Sequence, residues 1–382
     1  MNIIVAGYIV AYPFAGMTWC YLHFLLGLKK LGHEVWFLED SGEYSLPYDP
    51  VKQVCDADSN YGRAYLERVL ARFGLSGRWC YYSQFENKFY GLSEAELDRL
   101  CRRTDLFLNV AAVNQVRPMY AQARRKVAID TDPVFNQIRL AQGDEYLWNF
   151  YRGHDAYFTF GPHLAEPGQC EIPTAGIVWC KTCQPIHLDF WRAAALPPSD
   201  APFTTIMQWK SYQPVNFAGR HYGQKDVEFR KLLHLPRCTP QPLEVAVTRG
   251  APEDELRSEG WQLADSLVKT ATLESYRDYI VSSRGEWGIA KNGYVEGRTG
   301  SFGDRSACYL ACARPVLAQD TGFGSWLPVG EGLLTFNDIE SAVEGLARIN
   351  ADYPRHAAAA RRIAEEYFDS DKVLGAMLEA CG

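Results

Sequence analysis

The sequence predicts an α/β protein with two doubly wound parallel sheets, one in each half of the chain, that face a central cleft. Three observations support this fold class. The chain has 382 residues, more than a single hydrophobic core usually serves. Short apolar strand segments alternate with helical segments, as in parallel sheets built from right-handed crossovers. A proline-rich segment interrupts this alternation near the middle of the chain, and the alternation then starts again.

In the first half of the chain, apolar runs and helical periodicity alternate from the first residues onwards. The predicted strands cover residues 2–7, 33–38, 105–110, 126–130 and 155–160, and the predicted helices cover residues 15–32, 60–73, 93–103 and 114–123. Gly32 ends the first helix, since glycine is common just after a helix C-terminus. We therefore expect residues 1–180 to form an N-terminal domain.

Residues 181–202 are rich in proline and follow neither the helical nor the strand period, so we interpret them as an interdomain connector. Beyond it, the predicted elements are strand 203–209, helix 223–234, strand 243–247, a mixed unit at 300–326 and helices from 337 onwards. We expect residues 203–350 to form a C-terminal domain and residues 351–382 to form helices that pack back on the domains. Open α/β sheets bind ligands at the carboxyl ends of their strands, which predicts a site in the cleft.

Composition narrows the class of protein. The apolar fraction of 47% and the charged fraction of 22% are ordinary for a globular chain. A net charge of −7 gives no general basic surface for nucleic acid, although a local basic groove is compatible with it. The first residues lack the basic segment of a signal peptide, and no apolar run approaches the roughly 20 residues of a membrane span. We therefore expect a cytoplasmic protein without a membrane span; the sequence gives no indication of its oligomeric state.

Two neighbouring segments near the C-terminus have the features of an anion site. Residues 300–306 (GSFGDRS) open a predicted helix, and residues 321–323 (TGF) form a glycine turn after a short strand. Backbone N–H groups at both kinds of position bind anions, and the Arg305 guanidinium suits a phosphate. Ser301 and Asp304 also fit an S-x-x-D capping box that would simply begin the helix. Both interpretations are compatible, because a capping serine leaves other N–H groups free.

Two segments carry a family resemblance. Residues 31–35 (LGHEV) and 311–323 (ACARPVLAQDTGF) resemble motifs in the two halves of GT-B-fold glycosyltransferases. The resemblance implies two Rossmann-like domains, a nucleoside diphosphate sugar held mainly by the C-terminal domain, and an acceptor held mainly by the N-terminal domain. A UDP-sugar is the expected donor. The residues expected to contact the donor in the 300–323 region are Gly300, Ser301, Asp304, Arg305, Ser306, Thr321, Gly322 and Phe323.

The resemblance also has departures. The family pattern has two glutamates that fall on Gly300 and Cys308, so both are missing here. Asp304 lies one turn before Cys308 on the same helix face, which makes it the expected substitute at the ribose.

Three further cationic side chains are candidates to bind the diphosphate of the donor. Arg220 and Lys225 match, in their spacing, the glycine–arginine and lysine cations of the family, and the alternative is that both are surface cations on the approach to a helix. Lys291, in the segment AKNGYVEGRTG, is the third candidate cation.

On the acceptor side, Asp132 and Asp130 are the candidate bases for an acceptor hydroxyl, because they follow a predicted strand at the cleft. Asp132 also fits a helix N-cap ahead of a proline. The two aspartates form the D-x-D pattern that GT-A glycosyltransferases use for a metal ion. His154 and His23 are other candidate bases.

A loop before the first helix is the remaining acceptor-side candidate. Phe14, Ala15 and Gly16 lie where the start of that helix meets the cleft, and we expect them to contact an acceptor or a phosphate.

The scattered cysteines give little indication of a metal or redox site. Cys180 and Cys183, with His187 nearby, form half of a zinc or redox motif, and we interpret them as packing residues. We expect no metal cofactor, because a helix N-terminus and cations already face the diphosphate.

The predicted function is therefore a glycosyltransferase, similar to hexosyltransferases, that moves a sugar from a nucleoside diphosphate sugar to a hydroxyl-bearing acceptor. Its predicted partners are these two small molecules. One alternative is a nucleotide-sugar epimerase or hydrolase of the same fold. The other is a non-catalytic nucleotide-sugar-binding protein, an idea encouraged by the two missing glutamates.

Overall fold

The computed structural model describes residues 1–40, 42, 46–248 and 250–381. These residues form two large sheets, each covered by helices, and the domain limits 1–180, 181–202, 203–350 and 351–382 remain our proposed division of the chain. Among the described residues, no helix combines the length and the apolar character needed to cross a bilayer.

The first sheet takes its strands from the first half of the chain. Its domain contains strands β1 (Asn2–Ala6), β2 (Glu34–Asp40), β3 (Tyr48–Asp49), β4 (Val54–Cys55), β5 (Trp79–Ser83), β6 (Lys88–Gly91), β7 (Leu106–Val110), β8 (Arg125–Asp130), β9 (Ala156–Thr159) and β10 (Trp179–Lys181). Its helices are α1 (Ala15–Lys30), α2 (Asn60–Arg72), α3 (Glu94–Arg102), α4 (Phe135–Ala141) and α5 (Glu145–Tyr151), with 3₁₀ turns at Tyr120–Gln122 and Pro162–Ala165.

The second half repeats this plan. Its strands are β11 (Phe203–Met207), β12 (Val215–Phe217), β13 (Arg220–Tyr222), β14 (Leu243–Val247), β15 (Gln262–Asp265), β16 (Gly285–Gly288), β17 (Val316–Gln319) and β18 (Leu333–Phe336). Its helices are α6 (Lys225–Lys231), α7 (Leu235–Cys238), α8 (Glu253–Ser258), α9 (Ser266–Lys269), α10 (Leu273–Ser282), α11 (Asn292–Gly297), α12 (Asp304–Ala311), α13 (Ile339–Ala351), α14 (Tyr353–Ile363) and α15 (Ser370–Cys381). A 3₁₀ turn covers Phe323–Ser325 and a π-helical turn covers Ala364–Phe368.

Both sheets have the doubly wound topology that the sequence predicts. The strand order is β10-β9-β8-β7-β1-β2-β5-β6 in the first sheet and β15-β14-β11-β16-β17-β18 in the second. All neighbouring strands pair in parallel except β5 and β6. The winding reverses beside β1 in one sheet and beside β11 in the other, which is where such sheets open a crevice for ligands.

The last helix returns to the first domain. Helix α15 packs on α1, where Leu374 and Ser370 lie against Gly27 and Lys30 forms an ion pair with Asp371 at 3.0 Å. A side chain at Gly27 would collide with both residues, so the glycine permits the close approach. The C-terminal helices thus link the two domains.

One predicted helix, at 114–123, is wrong. Only the 3₁₀ turn Tyr120–Gln122 forms there. The side chain of Asn109 accepts a hydrogen bond from the N–H of Asn114 and donates one to its carbonyl, so it engages the backbone groups that a helix would use. Asn114 in turn accepts a hydrogen bond from the N–H of Asp40. These contacts come from neighbouring strands, which local periodicity does not reveal.

The loop after β1 is held by Glu39, near the carboxyl end of β2. The buried Glu39 carboxylate accepts hydrogen bonds from the N–H groups of Ile9, Val10 and Ala11 at 2.6, 2.6 and 2.8 Å. Burial raises the pKa of Glu39 to about 7, against the opposing effect of these three donors. The next residue, Tyr12, lines the cleft, so Glu39 positions one wall of it.

We expect Glu39→Gln to lower the free energy of unfolding by about 1–3 kcal/mol at a pH above the pKa of Glu39, because an amide N–H would then face backbone donors. Urea denaturation measures this change. The matched control is Glu34→Gln on the same strand, whose ion pair with Arg78 is exposed and contributes at most about 1 kcal/mol. Equal losses in the two variants would contradict the assigned role of Glu39.

Candidate functional site

A cavity of about 450 Å³ lies between the two domains, a size typical of small-molecule sites. It is lined by the loops at the carboxyl ends of both sheets, including those after β1 and β8 from the first domain and those after β11, β16 and β17 from the second. The cleft predicted from the strand pattern therefore exists, and most of the predicted site residues line it. The predicted residues among its lining are Phe14, Gly16, Lys225, Lys291, Ser301, Asp304, Arg305, Ser306, Thr321 and Phe323.

Lys225 brings a basic side chain into the cleft. It is partly buried at the first position of α6 and has no hydrogen-bond or ion-pair partner among the described residues. Burial, together with the positive charges of Arg305 and Lys291, lowers the pKa of the Lys225 ammonium well below its ordinary value. A buried cation without a partner is unfavourable, so this position is suited to an anionic ligand.

Arg305 lies beside Lys225 but is already engaged. Its Nε donates to Glu286 Oε1 at 2.6 Å, and its Nη1 donates to the carbonyl of Ile206. Glu286 is fully buried on β16, and its other carboxylate oxygen has no partner in the described part of the chain. Arg305 thus lines the cavity while it neutralises a buried carboxylate, so its removal would also disturb the core.

Helix α12 begins as an open N-terminus rather than as a capping box. The helix starts at Asp304 with Gly303 at the N-cap position, and no described side chain caps it, so the Ser301–Asp304 capping prediction is wrong. Ser301 is only 6% exposed, lines the cavity, and its hydroxyl has no hydrogen-bond partner among the described residues. An unpaired buried hydroxyl beside free helix N–H groups is suited to a ligand oxygen.

The glycine turn at 321–323 supports this segment rather than offering a second free set of donors. The Thr321 hydroxyl donates to the Ser301 carbonyl at 2.5 Å, and the Gly300 N–H donates to the Thr321 carbonyl at 3.0 Å. The Gly322 N–H is taken up by Asp320 Oδ1 at 2.8 Å. Of the two backbone anion sites expected from the sequence, the start of α12 is open, whereas the Gly322 N–H of the turn is already engaged.

The two positions that lack the family glutamates are covered by the first domain. Gly300 has φ +75°, and a Cβ there would lie 2.9 Å from Nε2 of His163, which leaves no room for a side chain. His163 Nδ1 donates to the Arg298 carbonyl at 2.6 Å. Cys308 is buried under α1, with its sulfur 3.8 Å from Nε2 of His23. Domain packing therefore explains why neither position holds a glutamate.

Asp304 also takes part in domain packing. Its carboxylate accepts a hydrogen bond from the Cys20 thiol of α1 at 3.2 Å, and burial raises the pKa of Asp304. Asp304 lines the cavity, so the predicted ribose contact stays a prediction, with the Cys20 contact as a competing role.

Asp132 reaches across the cleft and contacts the second domain. Its carboxylate accepts hydrogen bonds from Lys291 Nζ at 2.9 and 3.0 Å and from the hydroxyls of Tyr212 and Tyr294. Helix α4 begins two residues later than predicted, with Val134 as its N-cap, so the alternative role of Asp132 as the helix cap is wrong. Asp132 is therefore a carboxylate beside the cleft, between the lining residues Thr131 and Pro133, and these partners belong to the opposite domain.

Asp130 has a different environment. It is fully buried, and it accepts hydrogen bonds from Asn136, Gln137 and Thr159 at 2.9, 2.8 and 3.0 Å. This arrangement indicates a structural role at the end of β8 and favours Asp132 as the candidate base. Because the two carboxylates have separate partners, they do not converge as a D-x-D metal site would require.

The two histidines proposed as other bases are buried away from the main cavity lining. Burial lowers the pKa of His154 to about 4, and its ring contacts the Tyr151 carbonyl and the Asn109 amide. His23 accepts a hydrogen bond from the N–H of His187 at 2.9 Å, and burial lowers its pKa well below the ordinary value. Both residues therefore act as packing groups.

The loop before α1 contributes side chains to the cleft, while its backbone joins the domains. The Ala15 N–H donates to the Thr270 carbonyl of the second domain at 2.8 Å, so this donor is not free for a ligand. Ala15 itself is fully buried, whereas Phe14 and Gly16 line the cavity.

Arg220 does not lie where a candidate cation for the diphosphate would be expected. It lies on the β12–β13 hairpin, where its half-exposed guanidinium pairs with Glu171 at 2.7 Å, and it does not line the cavity. The spacing to Lys225 matches the family pattern, but the intervening strand β13 directs Arg220 away from the cleft. The alternative interpretation, a surface cation, applies to Arg220 and not to Lys225.

The structure adds residues that the sequence analysis missed. Tyr212 and Tyr294 contact Asp132, Glu286 pairs with Arg305, and His163 covers Gly300. Only Glu286 carried a usable signal, as a single acidic residue inside an apolar strand. All eleven cysteines are free thiols, and no three His, Cys, Asp or Glu side chains of the described residues come together as a metal site.

Comparison with solved structures shows the fold. An "alpha-glucosyltransferase in complex with UDP-glucose and DNA containing an abasic site" has a TM-score of 0.56 and 13% identity, covering 100% of this chain and 98% of that one. Sucrose-phosphate synthase from Thermosynechococcus elongatus has a TM-score of 0.55 and 11% identity over 100% and 98% of the two chains. HepE of Anabaena, solved with UDP and glucose, has a TM-score of 0.56 and 12% identity over 100% and 99%.

The chain therefore has the GT-B fold, and the predicted fold class is confirmed. No protein-family model and no curated protein sequence matches the chain.

Proposed function

We propose that this protein is a glycosyltransferase that moves a sugar from a UDP-sugar to a hydroxyl-bearing acceptor. The observation that carries the proposal is the pairing of two features across one cleft. The unpartnered Lys225 and the open start of α12 lie in the second domain, and the carboxylate Asp132 comes from the first. Lys225 and the start of α12 are suited to bind a diphosphate, and the Asp132 carboxylate is suited to accept a proton from a hydroxyl group.

The fold comparisons support the choice of donor. HepE was solved with UDP and glucose, and the alpha-glucosyltransferase with UDP-glucose, at full coverage of this chain. A diphosphate would bring two negative charges to the wall that carries Lys225, Arg305 and Lys291. The positive charges of this wall would stabilise the diphosphate as it leaves, which is the task that a bound metal performs in other transferases. A cytoplasmic location remains part of the proposal.

In the proposed reaction, the acceptor oxygen bonds to the anomeric carbon of the sugar while the bond from that carbon to the diphosphate breaks. The acceptor proton passes to Asp132 when the transfer inverts the anomeric centre. Lys291 currently pairs with Asp132 at 2.9 Å, and a bound diphosphate would compete for that ammonium. Donor binding would thereby free the Asp132 carboxylate for the acceptor.

Turnover of UDP-glucose separates the proposal from its alternatives. We expect UDP release that depends on an added acceptor alcohol and that persists in EDTA, because protein cations face the diphosphate. UDP release without acceptor would instead indicate a hydrolase, and conversion to an isomeric UDP-sugar would indicate an epimerase. Binding of UDP without any turnover would indicate a non-catalytic binding protein, and dependence on manganese or magnesium would contradict the metal-free mechanism.

Lys225→Met should weaken UDP binding by about 10–100-fold and uridine binding much less, because a hydrogen bond to a charged group is typically worth about 1.5–3 kcal/mol. Isothermal titration calorimetry measures both affinities. Lys210→Met is the matched control, since Lys210 is exposed and pairs with Asp226 outside the cavity lining. Equal losses for UDP and uridine would contradict a diphosphate role.

The pH dependence gives a second readout for Lys225. Its pKa is lowered in the free protein, and a bound diphosphate would raise it, so binding takes up a proton. UDP affinity should therefore fall as the pH rises through the pKa of the free protein. Lys225→Arg should flatten this profile, because arginine keeps its charge.

Asp132→Asn should reduce turnover by roughly 10²–10⁴-fold, the usual contribution of a general base. UDP affinity should be retained or increased, because the amide pairs less strongly with Lys291. Steady-state kinetics and calorimetry measure the two effects, and the melting temperature shows whether the variant is folded. A folded variant with near-parental turnover would remove Asp132 from the mechanism.

A further inference from the structure

The two walls of the cleft differ in charge. Of the described residues that line it, the charged ones all belong to the second domain, and they are Lys225, Lys291, Asp304 and Arg305. The first domain contributes only uncharged lining residues among those described, namely Tyr12, Phe14, Gly16, Met17, Thr131, Pro133 and Phe160. The acceptor-side wall is therefore aromatic, apolar and uncharged.

The aromatic part of this wall is built to be rigid. The Phe14 ring packs on Tyr48 with centroids 5.5 Å apart, and the Tyr12 ring packs edge-on against Tyr8 at the same distance. The backbone between Tyr8 and Tyr12 is held by Glu39, whose carboxylate accepts hydrogen bonds from the N–H groups of residues 9–11. Rings fixed in this way offer faces to a ligand at little cost in conformational entropy.

Two carboxylates of the first domain lie beside this wall. Glu39 lies beneath the loop, and Asp132 follows the lining residue Thr131. Asp132 lies between the lining residues Thr131 and Pro133 and pairs with the cation Lys291 of the second domain. A phosphate or carboxylate on the acceptor would find no cation here among the described residues, and burial of an unpaired anion is costly.

We infer that the acceptor is an uncharged molecule that presents an aromatic ring or the face of a sugar ring beside its reacting hydroxyl. This inference rests on the proposed function. The ring packs on Tyr12 and Phe14, which directs the hydroxyl towards Asp132 and the sugar of the donor. Tyr12 and Phe14 are thus specificity-determining residues. Nucleic acid, an acceptor suggested by the DNA complexes of structurally similar proteins, does not fit this wall because its phosphates need cations.

The test compares two ligands that differ in one charge. Protein saturated with UDP is titrated calorimetrically with phenyl β-D-glucopyranoside and with phenyl β-D-glucuronide, which replaces a hydroxymethyl group by a carboxylate. We expect the neutral glycoside to bind at least about 10-fold more tightly, because the carboxylate would be desolvated without a partner. A duplex DNA oligonucleotide should not bind at physiological salt.

Variants connect this preference to the aromatic wall. Phe14→Ala should weaken binding of the neutral glycoside by about 10-fold, since an aromatic contact and its buried area are lost, and should leave UDP binding unchanged. Phe14→Tyr should restore binding. The matched control is Phe85→Ala, because Phe85 is 49% exposed on the β5–β6 turn, outside the cavity lining, and its removal should change neither affinity.

Three results would overturn the inference: absence of glycoside binding to the UDP-loaded protein, equal or tighter binding of the glucuronide, or binding of the DNA. An unchanged glycoside affinity in Phe14→Ala would remove that ring from acceptor recognition. Failure of the proposed function appears separately, either as failure of UDP to bind or as UDP binding without acceptor-dependent release of UDP from UDP-glucose. The two failures are therefore distinguishable in one set of measurements.

Discussion

The ion pair between Asp132 and Lys291 crosses the cleft, and the candidate site depends on it. Asp132 follows a strand of the first sheet and Lys291 follows a strand of the second, so the pair joins the carboxyl ends of both. The pair is partly buried, with side-chain exposures of 27% and 13%. Loss of either partner leaves the other charge without compensation. An anion that enters the cleft would therefore compete with Asp132 for the same ammonium, and in the proposed reaction this competition would couple donor binding to the Asp132 carboxylate.

The other contacts between the domains explain how the site departs from the family pattern. His163 fills the space above Gly300, and α1 covers Cys308. A side chain at position 300 would meet the His163 ring, and position 308 is buried beneath α1 beside His23. What remains open is the start of α12, the Ser301 hydroxyl and the Lys225 ammonium. The cations that line the cleft thus belong to the second domain, and the lining residues of the first domain are uncharged.

Local sequence signals determined the fold and part of the site. Strand and helix periods depend on neighbouring residues, so the alternating α/β plan of both sheets followed from the sequence. The helix predicted at 114–123 is wrong, and several strands of the two sheets were not predicted, among them β5, β6, β15, β16 and β18. Lys225 and the start of α12 were also recognisable, because glycine turns and a lysine at the start of a helix are features of short segments. These features are set by residues within a few positions of each other.

Tertiary structure decided the features that depend on distant partners. Arg220 and Lys225 are equally good cations in the sequence, but the β12–β13 hairpin pairs Arg220 with Glu171 outside the cleft. Asp130 and Asp132 are two residues apart, yet only Asp132 has partners from the second domain, about 80 and 160 positions further along the chain. Burial and charge pairing are set by contacts between remote segments, so the sequence alone determined which chemistry was available, and packing determined which residues face the cleft.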